Sequence, residues 1–395
     1  MATDPRPRRP ATVVPRMDEP DTPPPDAPTA ASSEPLLPDY EGACITHLVP
    51  ALLEGVERPT WIPPAVMDAD RVLLLVLDGL GWQQLQERRA LAPALASLAG
   101  GAITTVAPST TAAALTSIST GRPPGEHGVV GYRIAVSDGV LNALRWSTGD
   151  GDARGRHDPG AFQPCELFGS QRPPVVTRAE FATSGFTAAH LAGTRLVGYD
   201  DRAGLVRGVV EQFDAGEAFV YAYWDAIDRT AHEFGLADRY DEELASCDRM
   251  LADLLDRLPT GTGVLVTADH GLVHVGDEML ELPWSVTSLI DGQSGEARFR
   301  WLHARAGAMG DLAAAAHAAF DEVAWVRTAD EVIGAGWFGP VVSAAARARL
   351  GDVAVVARED VGFTDPAEAM SLKLIGRHGS LTAAEMLVPA VGAVA

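Results

Sequence analysis

No run of apolar residues in this chain is long enough to cross a bilayer: the longest unbroken stretch, Ala218 to Trp224, has seven residues, against the roughly 20 that a spanning helix needs. The expectation is a protein with no membrane partner. Cysteine is scarce too. Cys44, Cys165 and Cys247 are odd in number and far apart, which excludes a disulfide framework and zinc-finger spacing and suits a reducing compartment. Arg6, Arg8 and Arg9 near the N-terminus are followed by prolines rather than by an apolar segment, so a secretory or twin-arginine signal is not expected and the protein reads as cytoplasmic. Basic charge is in deficit, with 31 Lys and Arg against 53 Asp and Glu and a formal net charge of −22. Such a surface repels the phosphate backbone, so no nucleic-acid polymer is expected as partner. A small phosphate ester remains compatible, provided that metal cations reverse the field in a pocket lined by carboxylates.

What is present is an ordinary globular composition, 395 residues with 47% hydrophobic and 21% charged, enough for one large α/β domain or two smaller ones. Residues 1–38 hold eleven of the 28 prolines and little to bury, and read as a disordered tail. From Asp39 onward apolar runs alternate with amphipathic segments. That pattern predicts βα units, hence a largely parallel central sheet with helices on both faces, over residues 39–395. Short aliphatic or aromatic runs predict buried strands at Arg71 to Leu77, Thr187 to Leu191, Ala218 to Trp224 and Gly263 to Thr267. Leu244, Cys247, Leu251, Leu254 and Leu255 share one face of a helix running from about Tyr240 to Leu258. Residues 280–370 mix a helix at Met309 to Phe320 with short strands such as Val353 to Ala357, and read as a smaller α+β insertion or cap.

Three of the strands lead into acids: Asp78 after the first, Asp225 and Asp228 after the third, Asp269 after the fourth. The carboxyl ends of parallel strands are where open α/β sheets place ligands. Asp228 and His232 are four apart, on one face of a helix, where both side chains reach a single metal ion. Asp269 and His270 are adjacent, and Gly271 permits a turn that sends both to a common centre. Ser109, Thr110 and Thr111 are read as the first turn of a helix running toward Gly121. A hydroxyl there serves either as a plain cap or as a nucleophile beside free backbone amides and the positive end of the helix dipole. His127, before Gly128, is read as fixing a turn. His274, His303 and His317 sit in helical or strand-like surroundings and are left out of the site, and Tyr223 and Trp224, just before the Asp225 to Asp228 loop, are assigned to core packing, with stacking of a base or aromatic leaving group as the alternative.

The order and context of these segments resemble the alkaline phosphatase superfamily, and within it the type I phosphodiesterase and nucleotide pyrophosphatase group. The segments are Val-Leu-Asp78-Gly-Leu-Gly, the Thr111 stretch ending in Ser-Thr-Gly-Arg-Pro-Pro-Gly-Glu-His127-Gly, Asp228-x-x-x-His232, Thr-Ala-Asp269-His270-Gly and Gly-Arg-His378-Gly. Together they span roughly residues 70 to 390. The resemblance implies an alkaline phosphatase-like fold and a site for two divalent metal ions, zinc or alternatively manganese. Asp228, His232 and His378 would surround one ion, and Asp78, Thr111, Asp269 and His270 the other. It further implies that a threonine attacks phosphorus and that water hydrolyses the resulting phosphothreonine. Counting back from Gly121 by the family's spacing selects Thr111 over Thr110 and Ser109.

Two departures bear on substrate. The family's phosphoryl-binding asparagine is missing from His127-Gly-Val-Val-Gly131-Tyr132-Arg133, so either backbone amides at the helix start, Tyr132 or Arg133 replaces it, or substrate preference has drifted. The sulfatase signature Cys-x-Pro-x-Arg is absent as well, which disfavours sulfate esters. The expected function is therefore a metal-dependent phosphodiesterase or nucleotide pyrophosphatase acting on a small phosphate ester or nucleotide-type substrate. The alternatives are a phosphomonoesterase or phosphonate hydrolase of the superfamily, an isomerase like the cofactor-independent phosphoglycerate mutases, and a non-catalytic scaffold stabilised by metal.

Overall fold

The computed structural model describes residues 34–55, 58–368 and 373–395. The tail assigned to residues 1–38 falls mostly outside these. Its last residues do not hang free, since the Leu36 amide donates to the Leu381 carbonyl at 2.9 Å and Pro38 is buried.

Seven strands form the central sheet. In chain order they are β1 (Arg71–Leu77), β2 (Ala99–Thr104), β3 (Pro174–Arg178), β4 (Arg195–Tyr199), β5 (Phe219–Trp224), β6 (Thr262–Thr267) and, from the end of the chain, Leu387–Val394. The last strand lies between β2 and β6 and is antiparallel to both. From β6 through β1, β5 and β3 to β4 every pairing is parallel. β1 is buried from Val72 to Leu77, and β5 and β6 are buried at every residue, as continuous apolar runs require when both sheet faces are covered.

The segment predicted as a strand at Thr187 to Leu191 is instead helical, and two strands were not foreseen beside it, β3 and β4. Ser184 explains the helix: its hydroxyl caps the first turn by accepting from the Thr187 amide at 3.0 Å. Phe186, Ala189 and His190 are then buried at helical three- and four-residue steps. The first turn expected to carry three hydroxyls begins two residues later, with Thr110 as N-cap and Thr111 as the first helical residue.

The helices that matter for the site are α1 (Thr111–Thr120), α2 (Gly185–His190), α3 (Arg202–Asp214), α4 (Ala226–Phe234) and α5 (Asp238–Arg257). α5 buries Tyr240, Leu244, Cys247, Met250, Leu251 and Leu254. Residues 290–357 build a second sheet, antiparallel throughout, from Ile290–Glu296, Phe299–Ala304, Val353–Ala357 and Ala324–Thr328 in that spatial order. The helix Met309–Phe320 covers it, giving a separate apolar cluster that includes Leu302, Leu312, Phe320, Val353 and Val355. Among the described residues no helix is long and apolar enough to cross a membrane.

Candidate active site

The parallel register sets the site. Leu77 pairs with Trp224, and Val76 with Thr267, so the acids that follow β1, β5 and β6 emerge along one edge. Backbone wiring locks them there: the Asp78 amide donates to the Trp224 carbonyl at 2.9 Å, and the Asp228 amide to the Asp78 carbonyl at 3.1 Å. The Gly79 amide donates to Asp269 Oδ1 at 3.1 Å. Gly79 has φ +75°, and a Cβ there would lie 2.9 Å from Asp228 Cβ. Only glycine allows this approach.

Six of the seven residues implied as metal ligands meet around His270 and Asp228. His270 Nε2 lies 3.4 Å from Asp78 Oδ1, 3.5 Å from Asp269 Oδ2 and 3.1 Å from Thr111 Oγ1. His378 Nε2 is 3.8 Å from Asp228 Oδ1, and its ring stacks on that of His270 with centroids 3.6 Å apart. The seventh, His232, follows Asp228 by one helical turn in α4, and its Nε2 lies 3.2 Å from Asp228 Oδ2. Ligand atoms of Asp78, Asp269 and His270, and of Asp228, His270 and His378, all lie within 4.8 Å of one another.

Each of the three imidazoles ties Nδ1 to a backbone carbonyl: His232 to Gly376 at 2.7 Å, His270 to Gly271 at 3.0 Å and His378 to Ser109 at 2.9 Å. A carbonyl only accepts, so Nδ1 carries the proton and Nε2 of a neutral ring keeps its lone pair, as in outer-shell support of metal-bound histidine. The carboxylates make the same point. Asp78 Oδ1, Asp228 Oδ1 and Asp269 Oδ2 are buried with no hydrogen-bond partner among the described residues.

Burial, with repulsion from Asp269 and Asp228, pushes the Asp78 carboxyl well above its usual range, against the opposing hydrogen bond from Tyr223. Asp269 is raised chiefly by burial, His270 pulling it down and Asp228 up. His378 is lowered by burial and by the neighbouring His270 and His232. Two buried carboxyls that resist ionising, Asp78 and Asp269, beside a His378 imidazole that resists protonation form a donor set that cations would complete. Hard oxygen and imidazole donors without cysteine fit zinc or manganese.

Thr111 is the hydroxyl that faces this centre. Ser109 Oγ is consumed behind it, donating to the Ser380 carbonyl at 2.6 Å and accepting from the Gly379 amide at 3.2 Å. The Thr110 hydroxyl interacts with Glu296, a buried residue of the second sheet whose carboxyl burial pushes up to about 8. No side chain caps α1, which leaves its first amides free for an oxyanion. The other two stand-ins for the missing asparagine are engaged elsewhere: Arg133 pairs with Asp365 and with Glu368 at 3.2 Å, and the Tyr132 oxygen accepts from Asn142 Nδ2 at 2.7 Å. His127 does hold a turn, its Nδ1 accepting from the Val129 amide at 3.1 Å and its Nε2 meeting Ser117 Oγ at 2.9 Å.

Tyr223 departs from the core-packing assignment. It is buried, but its hydroxyl donates to Asp78 Oδ2, and burial beside Asp78 keeps that hydroxyl protonated. Alternation along β5 could have found it, since Tyr223 lies two residues from Tyr221 on the same face. Trp224 packs as expected, stacking on Tyr199. Tyr223→Phe should weaken metal binding about tenfold or more by releasing Asp78, read by zinc titration against a competing chelator; unchanged affinity would remove Tyr223 from the site.

A cavity of about 570 Å³ opens beside Thr111, Asp78, Asp228 and His232, with Leu115, Leu144, Phe181, Phe186, Leu191 and Tyr221 among its walls. Lys373, the only lysine of the chain, also lines it. Sequence reasoning missed all of these wall residues. The rarity of lysine was the one available signal.

A mostly parallel sheet whose strand ends gather two carboxylate and imidazole clusters around a helix-start hydroxyl defines the alkaline phosphatase class of hydrolases. Residues 72–200 and 194–381 match the family type I phosphodiesterase / nucleotide pyrophosphatase. The chain belongs to that family and is a phosphoric ester hydrolase. Among curated proteins none matches it. Solved structures share the fold: murine ectonucleotide pyrophosphatase / phosphodiesterase 5 superposes with TM-score 0.61 at 15% identity, covering 82% of this chain and 87% of that one. An inactive variant of the murine protein in complex with AMP gives 0.60 at 15% identity, with the same coverage. Phosphonoacetate hydrolase from Sinorhizobium meliloti, in complex with phosphonoformate, gives 0.59 at 17% identity, covering 84% of this chain and 90% of that one.

Proposed function

We propose that this chain is a phosphodiesterase or nucleotide pyrophosphatase that works with two divalent metal ions, zinc or manganese, and through a phosphothreonine at Thr111. Asp228, His232 and His378 would hold one ion, and Asp78, Thr111, Asp269 and His270 the other. The observation that carries the reading is the position of Thr111 Oγ1, at an uncapped helix start and 3.1 Å from His270 Nε2, among carboxylate oxygens that lack partners. When bound, the ions would favour the threonine alkoxide and stabilise charge on the phosphoryl and leaving oxygens.

The protein's own groups divide the remaining work. Thr111 supplies the attacking oxygen, and the first amides of α1 receive a phosphoryl oxygen. Tyr223 holds Asp78 in place by its hydrogen bond. The cavity beside Thr111 gives the organic substituent of a small soluble ester somewhere to lie while excluding water. Attack on phosphorus breaks its bond to the leaving alcohol or phosphate, and water then cleaves the phosphothreonine, carrying off the phosphoryl group and restoring the hydroxyl.

A hydrolysis panel tests this: 4-nitrophenyl phosphate, bis-4-nitrophenyl phosphate, the 4-nitrophenyl ester of thymidine monophosphate and a phosphonate ester, each with zinc and with manganese. Diesters should be turned over faster than the monoester, because a diester carries one less negative charge into a cavity walled by apolar side chains. No hydrolysis of any ester with either ion would overturn the proposal. Faster phosphonate cleavage would assign the chain to phosphonate chemistry.

A further inference from the structure

The cavity is not uniformly apolar. His190, the last residue of α2, lines it and is only 5% exposed. Its Nδ1 is 2.7 Å from the Phe186 carbonyl, and its ring stacks on Phe186 with centroids 3.9 Å apart and planes 21° from parallel. Two contacts therefore fix the imidazole: one holds its plane, the other its rotation.

The carbonyl partner also settles which nitrogen bears hydrogen. Because a carbonyl oxygen only accepts, Nδ1 must donate, and a neutral ring has no second N–H. Burial lowers His190 to about 4, so the ring is neutral at physiological pH. Nε2 is consequently an acceptor that cannot convert to a donor by changing tautomer without losing the Phe186 bond. Among the described residues it has no hydrogen-bond partner. An acceptor without a protein partner, on a residue that lines the cavity, is open to water or a ligand there. The walls around it, Phe181, Phe186, Leu191 and Tyr221, favour a flat apolar group.

We infer that His190 is a specificity-determining residue, its Nε2 accepting a hydrogen bond from a hydroxyl or N–H on an aromatic group of the substrate lodged in this cavity. The inference rests on the reading of the adjoining cluster as the catalytic centre, and it deepens that reading by naming a substrate class: esters of aromatic groups that carry a donor. An aromatic group of the same size with no donor strands Nε2 in an apolar pocket, and sites built to pair a polar group reject such analogues strongly.

The test uses the metal-loaded full chain and ligands that are not turned over, so that binding is read without activity. Calorimetry compares phenylphosphonate with 3-hydroxyphenyl- and 4-hydroxyphenylphosphonate, and each hydroxyl compound with its methyl ether. The wild-type protein should bind one of the hydroxyl compounds about tenfold more tightly than both its ether and phenylphosphonate. His190→Phe, which keeps the stacking plane, should bring that ratio close to one. His190→Gln, which restores an acceptor, should recover part of it and guards against a folding defect in the first variant. Equal binding of all five compounds by the wild type, or a preference that survives in His190→Phe, overturns the inference. The two readings fail separately. If esters in the hydrolysis panel are cleaved but the hydroxyl preference is missing, the role of His190 is wrong and the hydrolase stands. If the preference depends on His190 while no ester is cleaved, the hydrolase reading falls and the cavity's specificity remains.

Discussion

Thr111→Ala should lower turnover by about 10³-fold or more while the protein still binds metal. The nucleophilic oxygen disappears, but Asp228, His232 and His378 do not depend on it for their positions, which α4 and the Nδ1 bonds to Gly376 and Ser109 maintain. Thr111→Ser should retain measurable activity, since only the methyl that restricts the rotamer is lost. Thr110→Ala is the control. Its hydroxyl interacts with Glu296 rather than with His270, so its removal should cost far less than the loss of Thr111. Steady-state rates beside metal analysis decide this. A fully active Thr111→Ala would end the covalent threonine account, whereas an inactive one stripped of all metal would show that the threonine is needed to assemble the centre.

Chelation should abolish turnover, and reconstitution should restore it with about two equivalents of zinc or manganese per chain. The stability effect should be equally plain, because an ion held at a thousandfold above its Kd adds about 4 kcal/mol. Its pH dependence follows from the carboxyls. Asp78 and Asp269 have folded-state values raised above those of the unfolded chain. In the metal-free protein their contribution to stability is complete below the usual carboxylate range and is lost as pH rises through the raised values. Metal binding must displace those protons, so the rise in melting temperature on adding zinc should grow as pH increases. Asp78→Asn should raise the melting temperature of the chelated protein at neutral pH, since a disfavoured buried charge is removed, and should erase most of the response to zinc. Scanning calorimetry with and without chelator reads both effects. A zinc-induced rise independent of pH, or an Asp78→Asn protein less stable without metal than the wild type, would show that the carboxyls are not strained by one another's charge.

Local pattern was enough to recognise much of this. Arg71–Leu77 is a strand because a continuous aliphatic run can only be buried on both faces, and its ends are the ones expected from sequence. The same holds for the helix at Met309–Phe320 and the strand at Val353–Ala357. The acids at the strand ends, the Asp228 and His232 pair and the family's order of segments all lie in short windows, so the sequence by itself determined the fold class, the family and the residues to examine. It failed where a single cap outweighs composition, as at Ser184, which turned the segment predicted as a strand into α2.

The tertiary structure alone decided which groups face one another. Thr111, not Thr110 or Ser109, meets His270 because the β-bridge between Ser109 and Gly379 and the burial of Glu296 engage the other two hydroxyls. Tyr223 reaches Asp78 from a neighbouring strand across 145 residues of sequence. The cavity wall is drawn from α1, β3, α2, β5, α4 and the segment at Lys373, and no window of sequence contains it. Side-chain direction and the choice of hydrogen-bond partner depend on packing between elements far apart in the chain, whereas periodicity and capping depend on residues within a few turns of one another. That difference in range is why strands, helices and ligand types could be read along the chain, and why the nucleophile's register, the tautomers of the three site histidines and the acceptor on His190 could not.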